Sequence, residues 1–226
     1  MEYKQLVQIL VENSDKKFDE FNNKIINSGV RTIGCTVPFV RQIAKKTTLA
    51  EALSYPSHEY FEVDLLKGIV VSSAKLHSEE KKQLLSDFAD SIENWAVCDC
   101  STVKVVKNEM NDYFEYFCAL CLSSKPFAAR YGIVNLLANY LTDEYVDKIF
   151  AKFKEITTFG NYYVDMAVAW LVATAIVKCR MQTVAYMEGE GKSVLNKFTY
   201  NKALQKMRDS FRVSAEDKAW SKTMKL

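Results

Sequence analysis

An aspartate stands in an otherwise apolar stretch, ENWAVCDCSTVKVV, at residues 93–106. Trp95 precedes Asp99 by four positions, so on a helix the indole and the carboxylate lie on one face, about one turn apart. Burying a lone carboxylate is costly, and an apolar helix face rarely carries one without a partner. Asp99 is therefore either a surface residue beside a core tryptophan or the charged centre of a site.

Two further residues stand out on segments that are otherwise apolar. Arg130 opens the run PFAARYGIVNLL, and Trp170 is the largest side chain in DMAVAWLVATA. Taken singly, Arg130 can cap or pair at the surface, Trp170 can belong to the core, and Asp99 can bond a helix start. Taken together, an arginine can compensate a carboxylate with bidentate geometry, and two indoles can wall the pair. An acid walled by aromatic rings suits a cationic ligand or a developing positive charge.

Four of the six cysteines follow a CxC…CxxC order, at Cys98, Cys100, Cys118 and Cys121, which invites a zinc hypothesis. The second pair, however, lies in the apolar helical run YFCALCL, and neither pair is flanked by the glycine or proline of a zinc knuckle. Buried free cysteine behaves as a small hydrophobic side chain. The sequence therefore predicts free thiols that pack in the core, with neither a metal site nor a disulfide framework.

The elements that must position these residues are predicted to be helices. Seven glycines and three prolines leave few breaks, such as Asn27-Ser28-Gly29, and no stretch alternates with period two for long enough to form a sheet. A helix with Pro38 in its first turn and Thr36 near its cap follows a loop. Further helices are predicted over residues 3–13, 16–26, 58–76, 78–92, 95–106, 109–122, 126–140, 143–156, 162–178, 181–187, 199–211 and 214–224. The predicted fold class is all-α.

Helix pairs recur roughly every 35–45 residues, which is the spacing of helical repeat proteins. Several second members share an apolar pattern: DLLKGIVVSSAK, AARYGIVNLLANYL and DMAVAWLVATAIVK. The recurrence favours a HEAT/armadillo-like α-solenoid of antiparallel helix pairs with a concave binding face, formed by residues 1–226 as a single domain. A compact irregular bundle is the competing architecture.

The composition, 49% hydrophobic and 26% charged, is that of an ordinary globular protein. No run approaches the roughly 20 apolar residues of a membrane span, and the start is unlike a signal or transit peptide, so we expect a cytoplasmic protein without membrane association. Residues 191–226 hold nine Lys and Arg against three acids, whereas residues 1–190 hold 21 against 25. The basic C-terminal segment is compatible with a polyanionic partner.

The chain resembles the DNA alkylation repair glycosylases of the AlkD family, which are built from HEAT-like repeats. The resemblance covers nearly the whole chain and rests on the order of several weak motifs: GVRTIGCTVPFVRQIAK, NWAVCD, ARYGIVNLL, VDMAVAWLV and NKALQKMRDSFRVSAEDK. It implies that Asp99 is the catalytic aspartate and that Trp95, Arg130 and Trp170 complete the catalytic centre. Candidate DNA contacts are Arg41, which matches a family arginine near the DNA backbone, together with Thr36, Lys202, Lys206, Arg208 and Arg212.

Three positions depart from the best-known member of that family. Ile25 stands where a tyrosine lines the site, and Ala138 and Ala173 occupy positions that are basic there. These departures bear on DNA affinity and lesion preference more than on the catalytic residues.

The resemblance implies a repair enzyme that hydrolyses the N-glycosidic bond of cationic alkylpurines, such as 3-methyladenine and 7-methylguanine, in duplex DNA. Asp99 would stabilise the positive charge of the sugar and position the water, with no cofactor and no metal. The expected protein is a monomer that acts on double-stranded DNA without an obligate protein partner, and is associated with the nucleoid when bound. Two alternatives are a non-catalytic HEAT-repeat protein that binds unusual or branched DNA, and a protein–protein scaffold.

Overall fold

A computed structural model describes residues 1–26 and 29–226, and this part of the chain is all-α. The described residues form 15 α-helices and one short 3-10 helix, with no strand beyond an isolated bridge between Arg31 and Tyr60. The helices pack in pairs, consistent with a HEAT-like α-solenoid, which confirms the predicted fold class. The break predicted at Asn27-Ser28 lies outside the described residues.

The chain divides into two compact units, of which the first is Met1–Lys104. Its helices are α1 Tyr3–Glu12, α2 Lys16–Ile26, α3 Val37–Ala44, α4 Leu49–Ser54, α5 Phe61–Ser73, α6 Ser78–Ser91 and α7 Trp95–Cys100. Helix α5 packs against α3, α4, α6 and α7. It is apolar around most of its circumference, with Val63, Leu65 and Leu66 fully buried, as a central helix must be.

The second unit is Val105–Leu226. After a 3-10 turn at Lys107–Glu109 it contains α8 Met110–Cys121, α9 Pro126–Asn139, α10 Val146–Phe153, α11 Tyr162–Lys178, α12 Arg180–Glu188, α13 Gly191–Val194, α14 Lys197–Asp209 and α15 Ala215–Thr223. Helix α8 packs on α9, α9 on α11, and α11 on α14. This row places Arg130, Trp170 and Lys206 on three successive neighbouring helices.

Most predicted helices are confirmed within a few residues, and three are too long. The helix predicted over 95–106 ends at Cys100. The one predicted over 58–76 extends only from Phe61 to Ser73, and the one predicted over 143–156 only from Val146 to Phe153. Two short helices, α4 and α13, were not predicted. No helix in the described ranges is long and apolar enough to cross a bilayer.

Candidate active site

Trp95 and Asp99 both lie on α7, a helix of only six residues. Asn94 caps its N-terminus, where the side-chain oxygen accepts hydrogen bonds from the N–H groups of Ala96 at 2.7 Å and Val97 at 3.4 Å. The buried side chain of Val97 anchors the helix, whereas Trp95 and Asp99 are partly exposed. The predicted spacing of indole and carboxylate, one helical turn apart, is therefore confirmed.

The chain that leaves α7 is held by side chains from two other helices. Arg41 of α3 donates from Nη2 to the carbonyl oxygen of Cys100, at 2.8 Å. Ser72 of α5 donates to the carbonyl oxygen of Ser101. A β-carbon at Gly68 would collide with the hydroxyl of Ser101, so a side chain there would displace this segment. These contacts fix α7 at its C-terminal end, directly after Asp99.

Arg41 and Asp99 lie close enough to Cys100 to change the pKa of its thiol, in opposite directions. Burial raises the pKa of Cys100, the guanidinium of Arg41 opposes that rise, and the carboxylate of Asp99 adds to it. Arg41 is itself exposed. The structure thus gives this arginine a contact within α7, where the family resemblance implied only a position near the DNA backbone.

Glu62, a residue that sequence reasoning missed, holds the loop that leads into α3. Its carboxylate is fully buried and accepts hydrogen bonds from the N–H groups of Ile33, Gly34 and Cys35, at 2.9, 2.8 and 3.1 Å. Burial raises the pKa of Glu62, and the three backbone donors oppose the rise. The signal that could have found it is an acid inside the apolar run YFEVDLL.

Thr36 occupies the N-cap position of α3, as predicted, but its side chain makes no capping hydrogen bond and is exposed. Pro38 lies in the first turn of the helix. Ile25, where the family has a tyrosine, is 45% exposed on α2.

Arg130 is buried, with 6% of its surface exposed, which excludes the interpretation as a surface cap. Its Nη1 donates to the carbonyl oxygen of Tyr163 at 2.6 Å, and the ring of Tyr163 lies 4.8 Å from that of Phe127. Arg130 therefore ties the first turns of α9 to the start of α11. Because α11 carries Trp170, this bond helps to position that tryptophan within the second unit.

Trp170 is 37% exposed and lines an open cleft with about 1200 Å³ of empty space, so it is not a core residue. The same cleft is lined by Lys206, Arg212 and the exposed ring of Phe211. Ala173 lines the cleft too, and no basic side chain stands at that position. The structure thus brings Trp170 together with two of the predicted DNA contacts.

Lys202 and Arg208, two other predicted DNA contacts, do not line the Trp170 cleft. They line a second groove, beside α15. Arg208 donates to the carbonyl oxygen of Ser221 at 3.2 Å and so joins α14 to α15.

The cysteines that raised the zinc hypothesis are mostly buried thiols. Cys98, Cys118 and Cys121 are at most 2% exposed, and Cys100 is partly exposed. Burial raises the pKa of Cys118 to about 12 and that of Cys121 well above its ordinary value. Such thiols remain protonated at neutral pH and pack as apolar side chains.

Comparison with known proteins gives one match to a family. No curated protein matches this chain. The family model described as DNA alkylation repair enzyme matches residues 6–207 of the 226. That range includes all of α3, α7, α9 and α11, which carry Arg41 and the candidate catalytic residues, whereas the candidate DNA contacts Arg208 and Arg212 lie beyond it. The chain belongs to the family of DNA alkylation repair enzymes.

Proposed function

We propose that the chain is a DNA glycosylase that hydrolyses the N-glycosidic bond of cationic alkylated purines, with Asp99 as its catalytic carboxylate. The observation that carries the proposal is the position of Asp99. It is a partly exposed carboxylate, one turn from an indole, on a short helix that is held at both ends. Such a carboxylate needs no reorganisation when charge develops beside it, which is the requirement for electrostatic catalysis.

The chemistry begins with a purine made cationic by alkylation at N3 or N7. The bond between C1′ and the base breaks, its electron pair neutralises the leaving purine, and positive charge develops on the sugar, as in glycoside hydrolysis. The carboxylate of Asp99 stabilises that charge and accepts a hydrogen bond from a water that attacks C1′. The water loses its proton through the carboxylate to solvent, leaving a free alkylpurine and an abasic sugar.

In this proposal the two tryptophans contact the DNA near its sugar and phosphate groups. Trp95, one turn before Asp99, offers an indole face to the deoxyribose, which a cationic sugar favours. Trp170 offers its indole to DNA from the cleft of the second unit, where Lys206 and Arg212 supply positive charge for phosphates. Asp209 also lines this cleft, so its field is mixed and not uniformly positive.

The two arginines act mainly as positioning residues. Arg41 holds the carbonyl of Cys100 and so fixes the helix of Asp99, while Arg130 holds the carbonyl of Tyr163 and so fixes the helix of Trp170. Thr36 places a hydroxyl and the N-terminus of α3 at the surface, where a phosphate can be bound.

The test separates excision from binding by measuring both on one substrate, a duplex treated with a methylating agent. A glycosylase binds this duplex and releases 3-methyladenine and 7-methylguanine above the spontaneous rate. Binding without release would instead support the non-catalytic DNA-binding protein, and absence of both would support the scaffold.

A further inference from the structure

A basic groove lies between α14 and the segment that follows α14, including α15. It has about 1300 Å³ of empty space and is separate from the Trp170 cleft in its lining residues. Five of its lining residues are cations: Lys197, Lys202, Arg208, Lys222 and Lys225. Among the described residues, no Asp or Glu side chain lines this C-terminal groove. A concave surface of one sign concentrates counter-ions of the other, so the groove favours a polyanion.

The acids of the same segment are engaged elsewhere. Asp217 accepts from Nε of Arg180 at 2.7 Å, and Glu216 pairs with Nη2 of the same arginine at 3.2 Å. Asp209, the third acid after residue 190, lines the Trp170 cleft instead. The positive charge of the C-terminal groove is therefore not balanced by an Asp or Glu side chain of this segment.

Exposed aromatic rings at the groove indicate which kind of polyanion it binds. Phe198 is 40% exposed, and Tyr162, whose ring centroid lies 6.1 Å away, is 58% exposed. The ammonium of Lys202 lies 5.8 Å from the centre of the Phe198 ring. Cations beside exposed rings are the combination that binds single strands, because phosphates meet the cations while unpaired bases stack on the rings. Bases inside a duplex are already stacked and offer no free face.

The walls of the groove are held together by specific bonds. The side-chain amide of Asn201 donates to the main-chain oxygen of Leu226 at 3.1 Å and accepts from its N–H at 3.3 Å. Arg208 bonds the carbonyl oxygen of Ser221. The segment that carries Lys222 and Lys225 is thereby fixed against α14. Both lysines also lie beyond residues 6–207, the range that matches the family.

We propose that the C-terminal groove binds an unpaired nucleic-acid strand, with its cations on the phosphates and Phe198 stacked on a base. This function requires no base excision and does not depend on the glycosylase assignment. It would allow the protein to hold a single-stranded region of DNA in addition to the duplex that the Trp170 cleft contacts.

The test measures binding of a fluorescent, undamaged oligothymidylate to the full chain as a function of salt. The double change Lys222→Glu and Lys225→Glu removes two phosphate contacts, so the slope of log affinity against log salt should fall by about 1.4. Both lysines are exposed, so folding is expected to be retained and is checked by circular dichroism. The matched control is Lys148→Glu with Lys154→Glu, two exposed lysines of the same unit outside the groove.

A second variant tests the stacking contact separately. Phe198→Ala should weaken oligothymidylate binding by about fivefold or more, while Phe21→Ala, at an exposed phenylalanine on α2, should not. An unchanged affinity in both groove variants would overturn the proposal. So would an equal effect of Phe198→Ala on a blunt duplex, or competition by polyglutamate as strong as by the oligonucleotide, which would indicate an acidic protein partner.

Discussion

Asp99→Asn removes the catalytic charge while keeping the size of the side chain and its place on α7. A carboxylate about 4 Å from a unit positive charge gains about 4 kcal/mol at an effective dielectric of about 20, and about 1 kcal/mol in bulk water. Asp99 is partly exposed, so the effective dielectric lies between these cases. The expected loss in the rate of base release is therefore between about fivefold and about a thousandfold.

The assay is single-turnover release of 7-methylguanine from a methylated duplex with enzyme in excess, corrected for spontaneous depurination. Removing a negative charge should leave DNA binding equal or stronger, so a slower release cannot come from weaker binding. Asp87→Asn on α6, an exposed aspartate of the same unit, makes the same charge change away from α7 and should keep the full rate. A rate for Asp99→Asn within about fivefold of the wild type, the effect expected in bulk water, would refute the reasoning.

Four further predictions concern residues that support the site and thiols that are buried in the core. Arg41→Ala should lower the single-turnover rate about tenfold and leave unchanged the slope of log DNA affinity against log salt. Arg41→Lys should restore part of the rate, because lysine can still donate to the carbonyl oxygen of Cys100. A slope lower by about 0.9 in Arg41→Ala would instead show that Arg41 binds a phosphate. Glu62→Ala should lower the free energy of unfolding in urea by about 3 kcal/mol, because three backbone donors lose their acceptor, and a loss below about 1 kcal/mol would contradict this. Burial raises the pKa of Cys35 and Cys118 to about 12, so about one thiol in ten thousand is ionised at pH 8, and alkylation followed by mass spectrometry should modify them only in the unfolded chain. Because these pKa values lie above the unfolded value of 9.0, the free energy of unfolding should also fall as pH rises past about 9, and a flat profile would contradict the assignment.

The sequence was sufficient to predict the bounds of helices whose ends carry capping residues. The helix predicted over 162–178 is confirmed to the residue, since Asn161 caps it and its side chain accepts from the N–H of Tyr163. The short helix α4 was not predicted, although the sequence contains a signal for it: Thr48 and Glu51 form a capping box at its start. The four-residue helix α13 is too short to show a periodic pattern.

Contacts between residues distant in the chain determine where α7 ends and which group Arg130 binds, and the sequence alone did not predict either. The stretch after Cys100 is apolar enough to continue α7, but Arg41 and Ser72 take up the carbonyl groups of Cys100 and Ser101 from other helices. The hydrogen bond from the buried Arg130 to the carbonyl oxygen of Tyr163 is another contact between residues distant in the chain. Residue type and spacing can suggest a site. Which acceptor each side-chain hydrogen-bond donor binds, however, depends on which helices pack beside it.

The candidate site was predicted in part. The pairing of Trp95 with Asp99 on one helix follows from their spacing, and the structure confirms it. The basic C-terminal segment was predicted to supply DNA contacts, and its residues line two separate grooves. The number of charges in a segment does not show which helix face each lysine occupies. The division into two grooves follows from the packing of α14 against α11 and α15, which only the structure shows.

The most direct test of the central claim is mass spectrometry of the bases and sugars after the full chain acts on a methylated duplex in ¹⁸O-labelled water. The proposed reaction predicts free 7-methylguanine and 3-methyladenine, each matched by an abasic site that carries the label at C1′. Bound DNA with base release no faster than in buffer would contradict the claim that this protein is a glycosylase.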